Sequence, residues 1–285
     1  MALARHRHFA RAAEDCGISQ PALSARIRKF EEGLGAPLIR RGNRFMGFTA
    51  EGEIALRWAR RLLQDVDGFR QDVEAAKGGL AGNVALGSVP TALAFVAQVP
   101  GRLRRDHPGL TIQIRSLSSS AIRRGLEDLS LDAGITYLDD TPPPGLSAKR
   151  LYQERYVLLA PPDMVDRSAD QITWERAADL PLCLLTSDMR NRRIIDRTFE
   201  AAGVRPEPIM ETNAFTAALV QVAGGTAATI APERLADNLP IAAGAARLSL
   251  VEPTLHEPVG VLFLDRDPRP PALEALLVAA EDVLR

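Results

Sequence analysis

Leu23, Ile27, Phe30 and Leu34 recur every three or four residues between Ser19 and Gly35, the spacing of one face of an α-helix. Ser19 suits the N-cap, Pro21 is tolerated where its missing donor has no partner, and Gly35 stops the run, so the pattern predicts a helix over 19–35. Its apolar stripe is expected to be buried, leaving Gln20, Pro21, Ser24 and Arg28 on the opposite face. Residues 8–16 predict a shorter helix with Phe9, Ala12, Ala13 and Cys16 inward, and Gly17 makes the turn between the two. Two helices so joined are a helix-turn-helix, whose second helix suits the major groove of DNA. Residues 37–41 and 43–48, around Gly42-Asn43, predict a small hairpin or wing carrying Arg40, Arg41 and Arg44.

A longer periodic run follows. From Thr49, an N-cap, to the glycines at 78 and 79, the residues Ile54, Trp58, Leu62, Val66, Phe69, Val73 and Ala76 keep one stripe in register over a single long helix. Such a seam calls for a partner helix, most simply from a second copy of the chain, which would let two recognition helices address an interrupted inverted repeat. Residues 78–83 hold three glycines and predict a hinge.

Beyond it the periodicity changes. Apolar runs at 84–89, 110–117 and 132–137, then 156–162, 182–187, 209–213 and 226–232, each lead toward a helical stretch, which predicts an α/β protein with a parallel sheet and ligands at the carboxyl ends of its strands. Those ends carry Ser88, Thr91, Ser118, Ser119, Thr186, Ser187 and Asn213, neutral hydrogen-bonding residues beside helix N-termini whose partial positive charge suits an anion. The same residues would serve equally as ordinary N-caps. Arg190, Arg192 and Arg193 could complete an anion site, although a division between surface and salt bridges is the stronger expectation.

Charge sharpens this division of labour. Residues 1–48 carry nine Lys and Arg against four Asp and Glu, a net of +5, whereas residues 79–285 carry 21 against 26, a net of −5. Only the N-terminal part is built to approach a polyanion. By chemistry, Arg28 and Gln20 are the candidates for guanine and adenine edges, and Pro21 for a thymine methyl. Ser19, Ser24, Arg40, Arg41 and Arg44 fit phosphate or minor-groove contacts, and His6 and His8 are weaker candidates near the backbone. The glycines at 82 and 87 match neither a phosphate-binding loop nor a nucleophile elbow, and the four histidines lack metal-ligand spacing, so no catalysis, metal or cofactor is expected. Cys183, within Leu-Cys-Leu-Leu, reads as an inert strand residue and Cys16 as a free thiol; with no signal peptide or membrane span legible, the cytoplasm is the expected location.

The blocks Phe9-Ala-Arg-Ala-Ala-Glu, Ser19-Gln-Pro-Ala-Leu-Ser, Arg28-Lys-Phe-Glu-Glu-Gly-Leu-Gly and Phe48-Thr-Ala-Glu-Gly resemble the N-terminal domain of LysR-type transcriptional regulators, and the likeness extends along the chain. It implies a winged helix-turn-helix at 1–48, a linker and dimerisation helix at 49–78, and a two-lobed effector domain of periplasmic-binding-protein type at 79–285. Lobe I would span about 83–155 and 257–285, and lobe II about 156–256. Lobe I would be completed by returning segments at 259–264 and 271–284, with two crossing strands as the hinge. The resemblance further implies double-stranded DNA and a small, anionic effector as partners, a homodimer that pairs into a homotetramer, and Thr91, Ser118 and Thr186 as the foremost effector contacts. The family's first helix usually starts earlier, so that helix is expected to be shortened here. Residues 131–139, 182–186 and 191–196 resemble, more weakly, members associated with formate dehydrogenase operons. The competing reading is a small-molecule-binding protein or enzyme domain whose N-terminal helices serve only assembly.

Overall fold

The computed structural model describes residues 1–40, 42, 45–77, 79–238 and 244–285, apart from the side chain of Ala75. It divides into two compact units, Met1–Arg70 and Gln71–Arg285. The first holds α1 (Ala2–His6), α2 (Phe9–Asp15), α3 (Gln20–Leu34) and most of α4 (Ala50–Ala76). Ser19 Oγ accepts from Ala22 N at 3.4 Å, and Gly35 closes α3 in the left-handed conformation that glycine adopts without strain. Leu3, Ala12, Ala13, Leu23, Leu38 and Ile39 form the core, with Phe9, Ile27, Phe45 and Phe48 packed against it.

Three of the expected inward residues lie outside that core. Phe30 and Leu34 are 53% and 52% exposed, because the small core reaches along α3 only as far as Ile27. Cys16 is also exposed, since α2 ends one residue before it and leaves it as the C-cap. Among the described residues the wing shows an antiparallel bridge, Ile39 to Phe48, with Arg40 N donating to Gly47 O at 3.0 Å; Arg41, Asn43 and Arg44 lie outside the described residues. Glu31 anchors its base: buried, it accepts from the amides of Leu38 and Ile39 at 2.7 and 3.2 Å, an instance of a buried carboxylate satisfied by backbone donors.

Thr49 caps α4, accepting from Gly52 N at 2.9 Å and donating to Pro37 O at 2.6 Å. The seam from Ile54 to Val73 is 38–68% exposed at its apolar positions Ile54, Trp58, Leu62, Val66, Phe69 and Val73, far more apolar surface than an amphipathic helix leaves in water when its own domain covers it.

The second unit begins sooner than the glycine content suggested. Strand β1 (Ala81–Ser88) already includes Gly82 and Asn83, two of the residues expected in a hinge. A 3₁₀ turn (Pro90–Ala92) leads into α5 (Leu93–Val96), followed by α6 (Val99–Asp106), β2 (Gly109–Ser116), α7 (Ser119–Glu127) and β3 (Ala133–Tyr137). The long β4 (Leu146–Ala160) then leads to β5 (Gln171–Thr173), α8 (Trp174–Ala178), β6 (Cys183–Leu185), α9 (Arg190–Ala201), β7 (Met210–Thr212), α10 (Phe215–Ala223) and β8 (Thr229–Pro232). The chain closes with α11 (Glu233–Asn238), β9 (Ala246–Val251), β10 (His256–Leu264) and α12 (Pro271–Asp282). Strands β2, β1 and β3 are parallel, as are β6 and β7, but β10 runs antiparallel to both β3 and β4, and β4 antiparallel to β8 and β9. The sheet is therefore mixed where the sequence pattern predicted parallel. The cause is the returning chain: β4 leaves the first sheet and β10 re-enters it in opposite directions.

Pairing of β4 passes from β10, at Arg155, to β8, at Tyr156, so one strand serves two sheets with separate cores. Phe95, Leu103, Ile122, Leu126 and Ile135 fill the first, and Trp174, Phe199, Leu158 and Leu182 the second. Gly134 lets α7 sit directly on β3: a Cβ there would lie 2.1 Å from Ile122 Cγ2. Among the described residues no helix is long and apolar enough to cross a membrane.

Candidate functional site

The exposed face of α3 begins at its capped end. Ser19, Gln20, Pro21 and Arg28 are exposed and Ser24 half-buried, with Arg40 exposed at the wing. Helix geometry places residues 20, 24 and 28 one above another, so a glutamine amide, a hydroxyl and a guanidinium rise in a column from an N-terminus that itself attracts anions. Of the two histidines considered, His6 Nε2 lies 3.2 Å from an Asp15 carboxylate oxygen, and His8 caps α2 through Nδ1.

In the second unit, a cavity of about 190 Å³ opens where α7 and α9 begin. Ser119, Ser120, Arg123, Thr136, Asp139, Arg190 and Arg193 line it together with Tyr137. Ser118 caps α7, accepting from Ala121 N at 3.3 Å, and its hydroxyl pairs with that of Ser120 at 3.1 Å. Thr136 donates to Ser119 Oγ at 2.9 Å. Arg190 donates to the carbonyls of Tyr137 and Leu138 at 3.3 and 3.2 Å and pairs with Asp139 at 2.8 Å, so a side chain of α9 is fastened to the end of β3. Arg193 donates to the carbonyls of Ser187 and Asp188 at 3.2 and 2.8 Å. Three guanidinium groups and two serine hydroxyls against one carboxylate make a cavity suited to an anion.

Of the residues singled out from sequence, Ser119, Arg190 and Arg193 line this cavity, and Ser118 is hydrogen-bonded to Ser120 of its lining. Ser88 is buried and donates to Val89 O at 3.0 Å, while Ser187 and Asn213 are exposed and outside the lining. Arg192, considered beside Arg190 and Arg193, is buried under Asp196 and Glu211, at 2.7 and 2.5 Å, and donates to Leu185 O. Arg123, Ser120 and Asp139 carried no signal in the sequence, because a single charged residue near a helix start is indistinguishable from a solvated one.

Thr91 belongs to a second polar cluster on the other face of β3. Neighbouring side chains of a strand point to opposite faces. Thr136 accordingly meets Ser119, while Tyr137 turns toward Thr91, at 3.0 Å. The Tyr137 hydroxyl also donates to Glu154 through a short hydrogen bond, and it accepts from Asn191 Nδ2 at 3.3 Å, with Tyr156 Oη at 3.1 Å. Glu154 and Asn191 are 2% and 3% exposed, and Glu154 Oε2, Asn191 Oδ1 and Thr186 Oγ1 are buried without a hydrogen-bond partner. Burial pushes the Glu154 carboxyl up to about 7 against the pull of hydrogen bonds from Tyr137 and Tyr156, and the opposing Glu257 adds to the rise. Burial likewise raises the Tyr137 and Tyr156 hydroxyls.

Comparison with known proteins places both units. Residues 1–53 match the model of the bacterial regulatory helix-turn-helix protein of the lysR family, and residues 77–285 match the LysR substrate binding domain. The chain is 29% identical over 268 residues to a probable hydrogen peroxide-inducible genes activator of Mycobacterium avium, covering 92% of this chain and 85% of that one. It is 29% identical over 231 residues to the HTH-type transcriptional regulator XapR of Escherichia coli (strain K12), covering 81% and 79%. Among solved structures, a full-length OxyR variant from Pseudomonas aeruginosa superposes with a TM-score of 0.79 at 25% identity, covering 98% of this chain and 94% of that one. CbnR, solved in complex with its target DNA, superposes at 0.70 with 21% identity, covering 99% and 96%.

Proposed function

The chain belongs to the LysR family of bacterial transcriptional regulators, and from that premise we propose that α3 reads an interrupted inverted repeat in DNA while a small anion, held where α7 and α9 begin, sets the response. It is a DNA-binding transcriptional regulator with an effector-binding domain, and its relatives are regulators, not enzymes.

In this reading residues 1–48 are the reader, 49–78 the linker helix and 79–285 the effector domain. Arg28 and Gln20 contact base edges, Pro21 a thymine methyl, and Ser19, Ser24, Arg40, Arg41 and Arg44 the backbone or minor groove. The chain acts as a homodimer through the exposed seam of α4, and two such dimers pair as a tetramer in the cytoplasm, where the DNA is. Support for the dimer is the run of large apolar side chains left uncovered along α4.

The observation that carries the effector class is the convergence of Arg123, Arg190 and Arg193 with Ser119 and Ser120 on one cavity. A carboxylate or oxyanion would take charge-assisted hydrogen bonds from the guanidinium groups. Hydrogen peroxide, which appears in the names of some relatives, finds no exposed thiol in the second unit: Cys183 is buried within β6 and burial raises its thiol, the reverse of what a reactive cysteine requires, and Cys16 lies in the other unit.

The test is a thermal-shift survey of the full chain against mono- and dicarboxylates, phosphate, sulfate and a matched set of neutral and cationic small molecules, after its operator has been recovered by selection from random-sequence duplexes. The expected result is stabilisation by one class of anion that Arg193→Ala removes, and a change in operator affinity caused by that same anion. Stabilisation by cationic or neutral compounds alone would overturn the effector class, and failure to select any duplex would overturn the DNA reading.

A further inference from the structure

Glu154 and Glu257 occupy the two strands that join the lobes, and the register places them directly opposite one another in the antiparallel pair β4–β10. Like charges so placed repel, and here one of them is fully buried and the other half-buried. The buried member sits in the next-to-last rung before β4 changes sheets, where contributions from both lobes converge. Thr91 and Tyr137 come from lobe I, Tyr156 from the first rung of β4 in lobe II, and Asn191 from α9.

Donors and acceptors do not balance in this cluster. The Tyr137 hydroxyl has one proton, which the short hydrogen bond gives to Glu154, and Asn191 spends an amide hydrogen on Tyr137. Two buried acceptors remain without a partner, Glu154 Oε2 and Asn191 Oδ1. A proton on Glu154 converts one of them from acceptor to donor and at the same time removes the negative charge that faces Glu257. Among the described residues no cation does that work within hydrogen-bonding reach. Arg234 acts on Glu154 only through space and stacks over the Tyr152 ring at 4.6 Å, and the charges acting on Glu257 are Arg190, Arg197 and Asp139. Tyr152 itself is buried and neutral, its hydroxyl raised by burial first and by Glu154 second.

We propose that this junction, which adjoins the anion cavity through Tyr137 and Arg190, is a second input site, and that its ligand is a proton bound by Glu154. With the proton in place the hydroxyls of Tyr137 and Tyr156 and the amide of Asn191 close around a neutral carboxyl, and the lobes are held together. Without it a bare charge opposes Glu257 between the crossing strands, and the contact of α9 with β3 loosens. The site goes beyond the effector reading and does not depend on any anion being bound.

The experiment follows the glutamate side-chain carboxyls of the full chain by ¹³C NMR from about pH 5 to pH 9, a range set to bracket ordinary and raised carboxyl values. Glu154→Gln identifies the resonance, and hydrogen exchange of the 137–139 and 190–192 amides is read over the same range. The expected result is one carboxyl that titrates near neutrality, with protection at both segments falling at that midpoint by about fivefold or more, the low end of ordinary coupling between sites. Tyr137→Phe, which removes a hydrogen bond that favours the ionised form, should move the midpoint upward, and it serves as the second variant if Glu154→Gln does not fold. A Glu154 midpoint in the ordinary carboxylate range, or protection that follows pH identically in Glu154→Gln, would overturn the proposal. Neither readout uses DNA or an effector, so either reading can fail while the other stands.

Discussion

The two polar clusters that meet β3 from opposite faces solve the same problem in contrary ways. In the cavity at the start of α7 the charged groups are partnered and near water: Arg190 is tied to Asp139 and two carbonyls, and Arg193 to two more. Around Glu154 the carboxyl is buried, unmatched among the described residues by a cation in hydrogen-bond contact, and left with acceptors unfilled. Ionic groups near water cost little and contribute little to stability. A buried carboxyl shifts its protonation equilibrium, and that shift is felt by the whole fold. The first cluster is therefore free to bind, and the second is placed to respond.

The comparison is broken most forcefully through pH. In the folded chain Glu154 holds its proton up to about 7, well above an unfolded glutamate, so the folded state binds more protons through that window. Its contribution to stability is complete below the unfolded value and is lost as pH rises to the folded one, on the order of 3 kcal/mol in all. Denaturant unfolding at a series of pH values should show this decline in the wild type and a flatter profile in Glu154→Gln. An equal decline in both would mean that another group carries it.

Smaller in effect is the packing that both clusters share. Gly134→Ala drives a methyl group into Ile122, and displacement of α7 should cost about 1–3 kcal/mol, seen as a lower midpoint of unfolding. The same variant should weaken anion binding, because Ser119, Ser120 and Arg123 all ride on α7. Arg193→Ala should leave stability within about 0.5 kcal/mol while reducing anion affinity about tenfold, measured by calorimetric titration. Smallest is Asp139→Asn: its carboxylate is largely exposed, so the loss of the Arg190 pair should change stability by less than about 1 kcal/mol and should strengthen anion binding slightly.

Much of this arrangement was legible in the sequence where local chemistry decides structure. Ser19, Gly35 and Thr49 set helix ends as their side chains and backbone freedom dictate. Alternation of strands and helices placed Ser118 and Ser119 at a helix start, where one of them now lines the cavity. What escaped depends on partners far away in sequence. Phe30 and Leu34 have the spacing of buried residues, yet the core they point along ends at Ile27. Asn213 sits at a strand end like the others, but among the described residues its strand β7 pairs with β6 alone, and Asn213 is exposed. The opposition of Glu154 to Glu257 arises from a register between strands about a hundred residues apart, which no local pattern encodes.

The central claim is that an anion in the α7–α9 cavity changes how α3 binds DNA. Its most direct test is an anisotropy titration of the full chain on its selected operator duplex, with and without the anion that stabilises it best, for the wild type and Arg193→Ala. The account predicts that the anion shifts operator affinity by about fivefold or more in the wild type and much less in the variant. Equal operator affinity with and without the anion in the wild type, despite its binding, would contradict it.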